Sequence, residues 1–186
     1  STYHADNLKA FQDDLFRVNE KIEALIVFSN QNFESFNQAK FKLDALAFES
    51  LQHQLKNNQV LIEYYLFEKN LYSIIITKEE IDIFENKIEE SFFKNLELVN
   101  NYVRHPYINN SYKQFDQFKR SSNQLYLKLI HPFAEHIKEK ELIIIPDDVL
   151  LNLPFEVLTS HYDSLNSSIK PLYLIFTNPI HYAYST

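Results

Sequence analysis

Two groups of polar residues have the types and spacing that invite a catalytic or metal-binding interpretation. Ser160-His161-Tyr162-Asp163 contains the residue types of a hydrolytic triad. A triad is assembled in space from separated elements, so these adjacent residues are predicted to be solvated loop residues. His131 and His136 resemble a helical zinc motif, but they are five positions apart, whereas a helical metal-binding pair needs an i, i+4 spacing. We therefore expect no metal site from this pair.

A third group follows a strongly aliphatic segment. Asp147 and Asp148 come directly after residues 141–145, and Glu156 follows shortly afterwards. Function in α/β folds is usually placed where a buried strand ends, so the three carboxylates could form a ligand-binding cluster. Such carboxylates more often belong to a turn and have an N-capping or helix-dipole role. The residues themselves leave both interpretations open.

Composition excludes several classes of site. The 186 residues contain no Cys, which excludes a cysteine nucleophile, a thiolate zinc site and a disulfide scaffold within them. They contain no Gly, so a P-loop, a dinucleotide-binding fingerprint and a nucleophile elbow are excluded too. The net charge of -7 argues against nucleic acid as the main partner. The sequence lacks an apolar run of about 20 residues that would cross a membrane. We expect a soluble, cytoplasmic protein without a cofactor.

Hydrophobic periodicity predicts an α/β fold, with helices first and a mixed sheet after them. Residues 1–57 are predicted to form a helical hairpin that packs on the rest of the chain or connects to a helical-repeat array. Residues 58–186 are predicted to contain a sheet with packed helices. Its predicted strands are 60–66, 71–77, 81–84, 141–145, 173–176 and 180–184, and its predicted helices are 86–103 and 111–138, the second interrupted at Pro132.

Residues 142–158 carry a pattern with a recognisable counterpart. An aliphatic strand runs into Ile145-Pro146-Asp147, and Leu150, Leu153-Pro154-Phe155-Glu156 and Leu158 follow. The segment resembles the hallmark of CHAT domains, which are caspase-like cysteine peptidase domains usually found behind tetratricopeptide repeats. It departs from that pattern at Asp148, where the family prefers Gly.

Three further segments resemble the same family in the same order. Residues 61–77 are similar to its opening hairpin, and residues 125–132 to its Leu-Tyr-x-x-Leu-Ile-x-Pro helix. Residues 180–185, which contain Tyr182 and Tyr184, are similar to its Ile-Ser-Tyr-Ala-Tyr-Ser strand. The resemblance covers residues 58–186. It implies structural roles for the motif residues Ile145, Pro146, Asp147, Leu153, Pro154, Phe155, Glu156, Tyr182 and Tyr184.

The resemblance also implies where chemistry would lie. The family's catalytic His and Cys follow the strand that residues 180–185 resemble, so this chain is expected to be the non-catalytic first half of a caspase-like domain. Its expected role is structural or regulatory, in a bacterial cytoplasmic peptidase. The alternatives are a protein-interaction scaffold whose parent has no protease activity, and an unrelated α/β ligand-binding domain that uses the carboxylates near Asp147.

The ends of the chain suggest protein partners. The sequence has no Met, even at position 1, and its last residues alternate as a strand does, so we expect a piece of a longer protein. Partners are expected to be proteins or peptides, including the protein's own repeat region, and not nucleic acid or membranes. An unpaired strand over residues 180–185 would recruit other chains, so self-association through this segment is also expected.

Overall fold

The computed structural model describes residues 51–67, 69–105, 111–163 and 171–183. The predicted helical hairpin over residues 1–57 lies outside the described residues except for its final part. Residues 51–54 are helical, and Leu51 and Leu55 pack against the sheet that follows.

A mixed five-stranded sheet organises the described part of the chain. Its strands are β1 (Gln59–Phe67), β2 (Asn70–Ile76), β3 (Ile81–Lys87), β4 (Glu141–Ile145) and β5 (Ile180–Tyr182). Their spatial order is β3-β2-β1-β4-β5. The first three form an antiparallel meander, whereas β4 runs parallel to β1 and β5 parallel to β4. The predicted α/β fold with a mixed sheet is confirmed.

Alternation along the strands gives the sheet two apolar faces. Val60, Ile62 and Tyr64 of β1 belong to the larger core cluster, whose side of the sheet we call the helix face. Leu61 belongs to a smaller cluster with Ile74, Ile76 and Leu55 on the opposite side, which we call the second face. Successive side chains of a strand point to opposite faces, so apolar residues at consecutive positions supply both clusters.

Two helices cover the helix face. In α1 (Glu90–Arg104), Phe92, Leu96 and Val99 lie on one stripe at i, i+4 and i+7 and are buried. In α2 (Tyr112–Leu129), Phe118, Ser122, Leu125 and Leu129 form the equivalent stripe. Ser111 caps α2: its hydroxyl accepts from the Gln114 N–H, and the Gln114 side chain accepts from the Ser111 N–H. The predicted interruption at Pro132 is confirmed, since α2 ends at Leu129 and a 3-10 helix (His131–Phe133) follows.

Three local predictions were wrong for identifiable reasons. Residues 86–87 belong to β3, because they pair with β2 across the antiparallel meander, and α1 begins at Glu90. Val103 is exposed near the end of α1, beyond the sheet-facing stripe. Residues 173–176 make one isolated bridge, Thr159 to Tyr173, followed by a 3-10 helix (Leu174–Phe176) rather than a strand.

The interior strand β4 also differs from expectation. Its run of aliphatic residues favours a strand buried on both faces, but only the helix face is fully closed. Leu142 and Ile144 are completely buried there, whereas Ile143 and Ile145 lie half-buried on the second face. The two faces of β4 should therefore tolerate substitution differently.

We expect Ile144→Ala to lower the free energy of unfolding by about 3–4 kcal/mol, because it opens a cavity in a closed core. Ile143→Ala removes the same atoms from the neighbouring position and should cost roughly 1–2 kcal/mol, since that side chain keeps contact with solvent. Urea denaturation of the two variants measures the difference. Equal losses would show that the second face of β4 is as tightly closed as the helix face.

Candidate functional site at the carboxyl end of the parallel strands

The parallel strands β1, β4 and β5 place their carboxyl ends at one edge of the sheet. Leu61 and Glu63 of β1 lie beside Ile143 and Ile145 of β4, and Ile144 lies beside Tyr182 of β5. This edge is where α/β sheets usually carry ligand-binding groups. We call it the carboxyl edge. The segment that leaves β4 carries most of the residues singled out by the sequence.

Asp147 anchors the start of that segment. Pro146 is buried, and Asp147 Oδ2 accepts a hydrogen bond from the Leu66 N–H at 3.3 Å. The chain then turns sharply, because Asp148 adopts φ 47, in the left-handed region that favours glycine. A 3-10 helix (Asp148–Asn152) follows, and its Leu150 side chain is buried. The two aspartates thus act in the backbone turn.

Helix α2 holds the next part of the segment in place. Ser122 Oγ donates to the Val157 carbonyl oxygen at 2.6 Å, and Asn123 Nδ2 donates to the Thr159 carbonyl oxygen at 3.0 Å. Both side chains are buried, so these bonds satisfy groups that would otherwise be costly to bury. Leu153 and Phe155, which precede these attachments, are buried, and Phe155 lies in a 3-10 helix (Phe155–Val157).

Aromatic packing and a bridging phenol join this segment to β5. The Phe155 ring stacks on Tyr64 with centroids 5.4 Å apart and meets Tyr182 edge-on at 6.3 Å. The Tyr182 hydroxyl donates to Glu156 Oε2 at 2.7 Å and accepts from the Phe155 N–H at 3.0 Å. Pro154 lies half-buried beside them. Phe155 and Tyr182 are 27 positions apart in the sequence. They are in contact through their rings and through the hydrogen bond from the Phe155 N–H to the Tyr182 hydroxyl.

The phenols of this edge are hydrogen-bond donors and not bases. Burial, with a smaller contribution from Tyr182, raises the pKa of Tyr64 well above its usual value, and its hydroxyl donates to the Leu129 carbonyl oxygen at 2.7 Å. Burial, then the neighbouring Glu63 and Asp147 charges, raises the pKa of Tyr65. A raised phenol pKa keeps the proton on oxygen at neutral pH. The Tyr64 and Tyr65 hydroxyls therefore stay protonated at neutral pH and donate to the Leu129 carbonyl oxygen and to Glu63.

The three carboxylates have separate attachments. Asp147 accepts a hydrogen bond from the Leu66 N–H at the end of β1, and Glu156 accepts one from the Tyr182 hydroxyl. The Asp148 side chain is exposed. In the described part of the chain they do not form a group whose ligand atoms could share a metal ion. Of the interpretations left open by the sequence, a turn with local hydrogen bonding fits this geometry. Tyr184 lies outside the described residues.

The loop residues 160–163 are attached to different parts of the structure. Ser160 and His161 are exposed, and the His161 N–H donates to Thr159 Oγ1. Tyr162 is half-buried, with its hydroxyl donating to Asp116 Oδ2 of α2 at 3.1 Å. Burial, followed by the hydrogen bond and charge of Asp116, raises the Tyr162 pKa. The prediction of a fully solvated loop is wrong for Tyr162, because it packs back on α2.

Sequence reasoning missed the groups that hold the ends of the parallel strands. Glu141 accepts from Gln59 Nε2 at 2.9 Å and pairs with His181 Nε2 at 2.6 Å, so it links β1 to β5 across β4. The bond from Gln59, opposed by desolvation and helped by His181, lowers the pKa of Glu141. Each partner comes from a distant part of the chain, and a polar residue at the start of a strand carries no signal of such a pairing.

No protein-family model matches this sequence, and no curated protein matches it. Within the described residues, neither helix is both long and apolar enough to cross a bilayer.

We expect Tyr182→Phe to destabilise the carboxyl edge by about 1 kcal/mol, because it removes the two hydrogen bonds of the hydroxyl and keeps the ring. Hydrogen exchange should speed up at the Phe155 amide, which loses its acceptor. Tyr72→Phe is the matched control, since it also removes one tyrosine–glutamate bond, to Glu85, at an exposed site on the opposite part of the sheet. An unchanged Phe155 amide in Tyr182→Phe would show that the bond to the phenol is not formed in solution.

Proposed function

We propose that this chain is the non-catalytic first portion of a CHAT-type, caspase-like cysteine peptidase domain, with a structural or regulatory role. The proposal rests on the resemblance of residues 58–186 to that family and on how the resembling segments fit the structure. It implies that the parent protein is bacterial and cytoplasmic.

One observation carries this proposal above the others. Asp148 is the position at which the sequence departs from the family's Ile-Pro-Asp-Gly pattern, and its φ is 47. Among the described residues, only Glu139 shares a positive φ. A left-handed turn is the backbone requirement that a glycine at this place would meet, and aspartate is among the few other residues that adopt it. A positive φ at the position where the family prefers Gly supports the proposal.

The contact between two separate motif segments also supports the proposal. Residues 153–156 and the strand containing Tyr182 resemble two separate segments of the family, and they are neighbours in space through Phe155, Glu156 and Tyr182. Through this contact the motif residues have a structural role. They fasten the segment after β4 to the next parallel strand.

An interaction scaffold without protease activity in the parent is the alternative function. The observation that favours it is the position of β5 at one edge of the described sheet, with Tyr182 exposed on it. Leu172, Ile175 and Phe176 are exposed in the segment that leads into it. Sheet edges and exposed apolar side chains are surfaces that other chains pair with. Self-association through residues 180–185 stays a prediction.

We expect the purified chain to hydrolyse no member of a broad peptide library, because it contains no cysteine to act as nucleophile. The measurement is fluorogenic hydrolysis before and after treatment with a thiol-alkylating reagent. Turnover that survives repurification and resists the reagent would contradict the proposal that this chain is the non-catalytic portion.

The two proposed functions differ in the parent protein. Residues that follow this chain in a peptidase parent would contain a His-Gly and a later Ala-Cys, as the family has them. The parent would then react once, at that cysteine, with a peptide ketone directed at thiol proteases. A parent that lacks both residues and does not react supports the scaffold and removes the peptidase proposal.

A further inference from the structure

A histidine and two carboxylates meet at the end of the sheet formed by β3. Glu80 directly precedes β3, Asp82 lies within it, and His136 lies in the turns between α2 and β4. His136 Nε2 is 3.0 Å from Asp82 Oδ2 and 3.5 Å from Glu80 Oε1. All three ligand atoms lie within 4.8 Å of one another. We propose that Glu80, Asp82 and His136 bind one divalent transition-metal ion, with Zn²⁺ the best match.

The spacing of the ligand atoms suits a tetrahedral ion. Zinc bonds to nitrogen and oxygen of about 2.0–2.2 Å in tetrahedral geometry separate neighbouring ligand atoms by about 3.3–3.6 Å. The two distances from His136 Nε2, 3.0 and 3.5 Å, lie close to that range. An ion would replace the direct contact between His136 Nε2 and Asp82 Oδ2, and these two atoms would move apart by about 0.3 Å or more.

The backbone that carries the ligands is held by its own contacts. The Thr77 hydroxyl accepts from the N–H groups of Glu79 and Glu80, and the Thr77 N–H donates to the Glu80 carbonyl oxygen at 2.9 Å. Asp82 is fixed by the pairing of β3 with β2. The His136 ring meets the Phe84 ring edge-on, with centroids 5.7 Å apart. Ligands positioned before the ion arrives lose less conformational entropy on binding it.

The ligand chemistry selects the class of ion. One imidazole and two carboxylates form a mixed nitrogen and oxygen set that suits zinc and its neighbours, whereas calcium and magnesium prefer oxygen ligands alone. Two carboxylates also balance the charge of a divalent ion. The Glu80 side chain is 57% exposed, so water can reach a fourth coordination position. This leaves an open site of the kind that zinc uses when it is not purely structural.

The other ring nitrogen limits the affinity. His136 Nδ1 is buried and has no hydrogen-bond partner among the described residues. Metal-binding histidines usually donate this N–H to an acceptor, which raises the basicity of the ligand nitrogen and fixes the ring. Without that bond, zinc should bind roughly 10–100-fold more weakly than at a site whose histidine has such an acceptor.

Isothermal titration of the tag-free full chain with ZnCl₂ near neutral pH tests the proposal. We expect one saturable site, and visible absorption of bound Co²⁺ should report the same site. His136→Ala should weaken zinc binding by roughly 100-fold or more, because it removes the nitrogen ligand. His131→Ala is the matched control, since this exposed histidine lies nearby in sequence but outside the cluster, and it should leave the affinity unchanged.

Asp82→Asn keeps the size of the side chain and removes its charge. It is the second test variant, to be used if His136→Ala does not fold. It must show the same direction of loss, and the zinc-induced rise in melting temperature seen with the unmodified chain should shrink with it. Absence of saturable binding to the unmodified chain would overturn the proposal. So would binding that His136→Ala and Asp82→Asn leave unchanged, since the ion would then be held by other surface residues.

Discussion

The parallel pairing of β1 with β4 is the interaction on which the rest of the structure depends. It joins residues that are 82 positions apart, as between Gln59 and Glu141, and it places Val60 and Ile62 beside Leu142 and Ile144 on a face that is completely dry. A parallel pair needs a long crossover, which here contains β2, β3 and both helices. Closing that loop costs conformational entropy, and burial of the aliphatic side chains against α1 and α2 offsets it.

Irregular segments become part of the core because their backbone groups find side-chain partners. Ser122 and Asn123 satisfy carbonyl oxygens after the 3-10 helices, and Asn178 Nδ2 donates to the carbonyl oxygens of Ile137 and Lys140 at 2.6 and 2.8 Å. A buried carbonyl without a partner costs free energy comparable to a lost hydrogen bond. These few polar side chains therefore hold residues 157–159 and Asn178 in place against the rest of the structure.

The carboxyl edge and the Glu80–Asp82–His136 cluster combine polar groups in different ways. At the carboxyl edge, Tyr64 and Tyr65, whose pKa values are raised, donate to the Leu129 carbonyl oxygen and the Glu63 carboxylate, and the Tyr182 hydroxyl donates to Glu156. At the end near β3, an imidazole nitrogen faces two carboxylate oxygens, which is an arrangement that a cation can enter. The first arrangement holds neighbouring segments of the chain together. The second is the cluster that we propose as a metal site.

The sequence by itself determined the types and order of most elements, because local signals carry them. Alternation predicted the hairpin of β1 and β2, the apolar stripe predicted α1, and Pro132 marked the end of α2. Tertiary structure alone decided that β4 is closed on one face and half-open on the other, and that residues 173–176 curl into a 3-10 helix. It alone brought His136 to Asp82 and Tyr182 to Phe155. Each pair joins residues that are tens of positions apart. Long-range packing determines such contacts, and it leaves no periodic pattern in the local sequence.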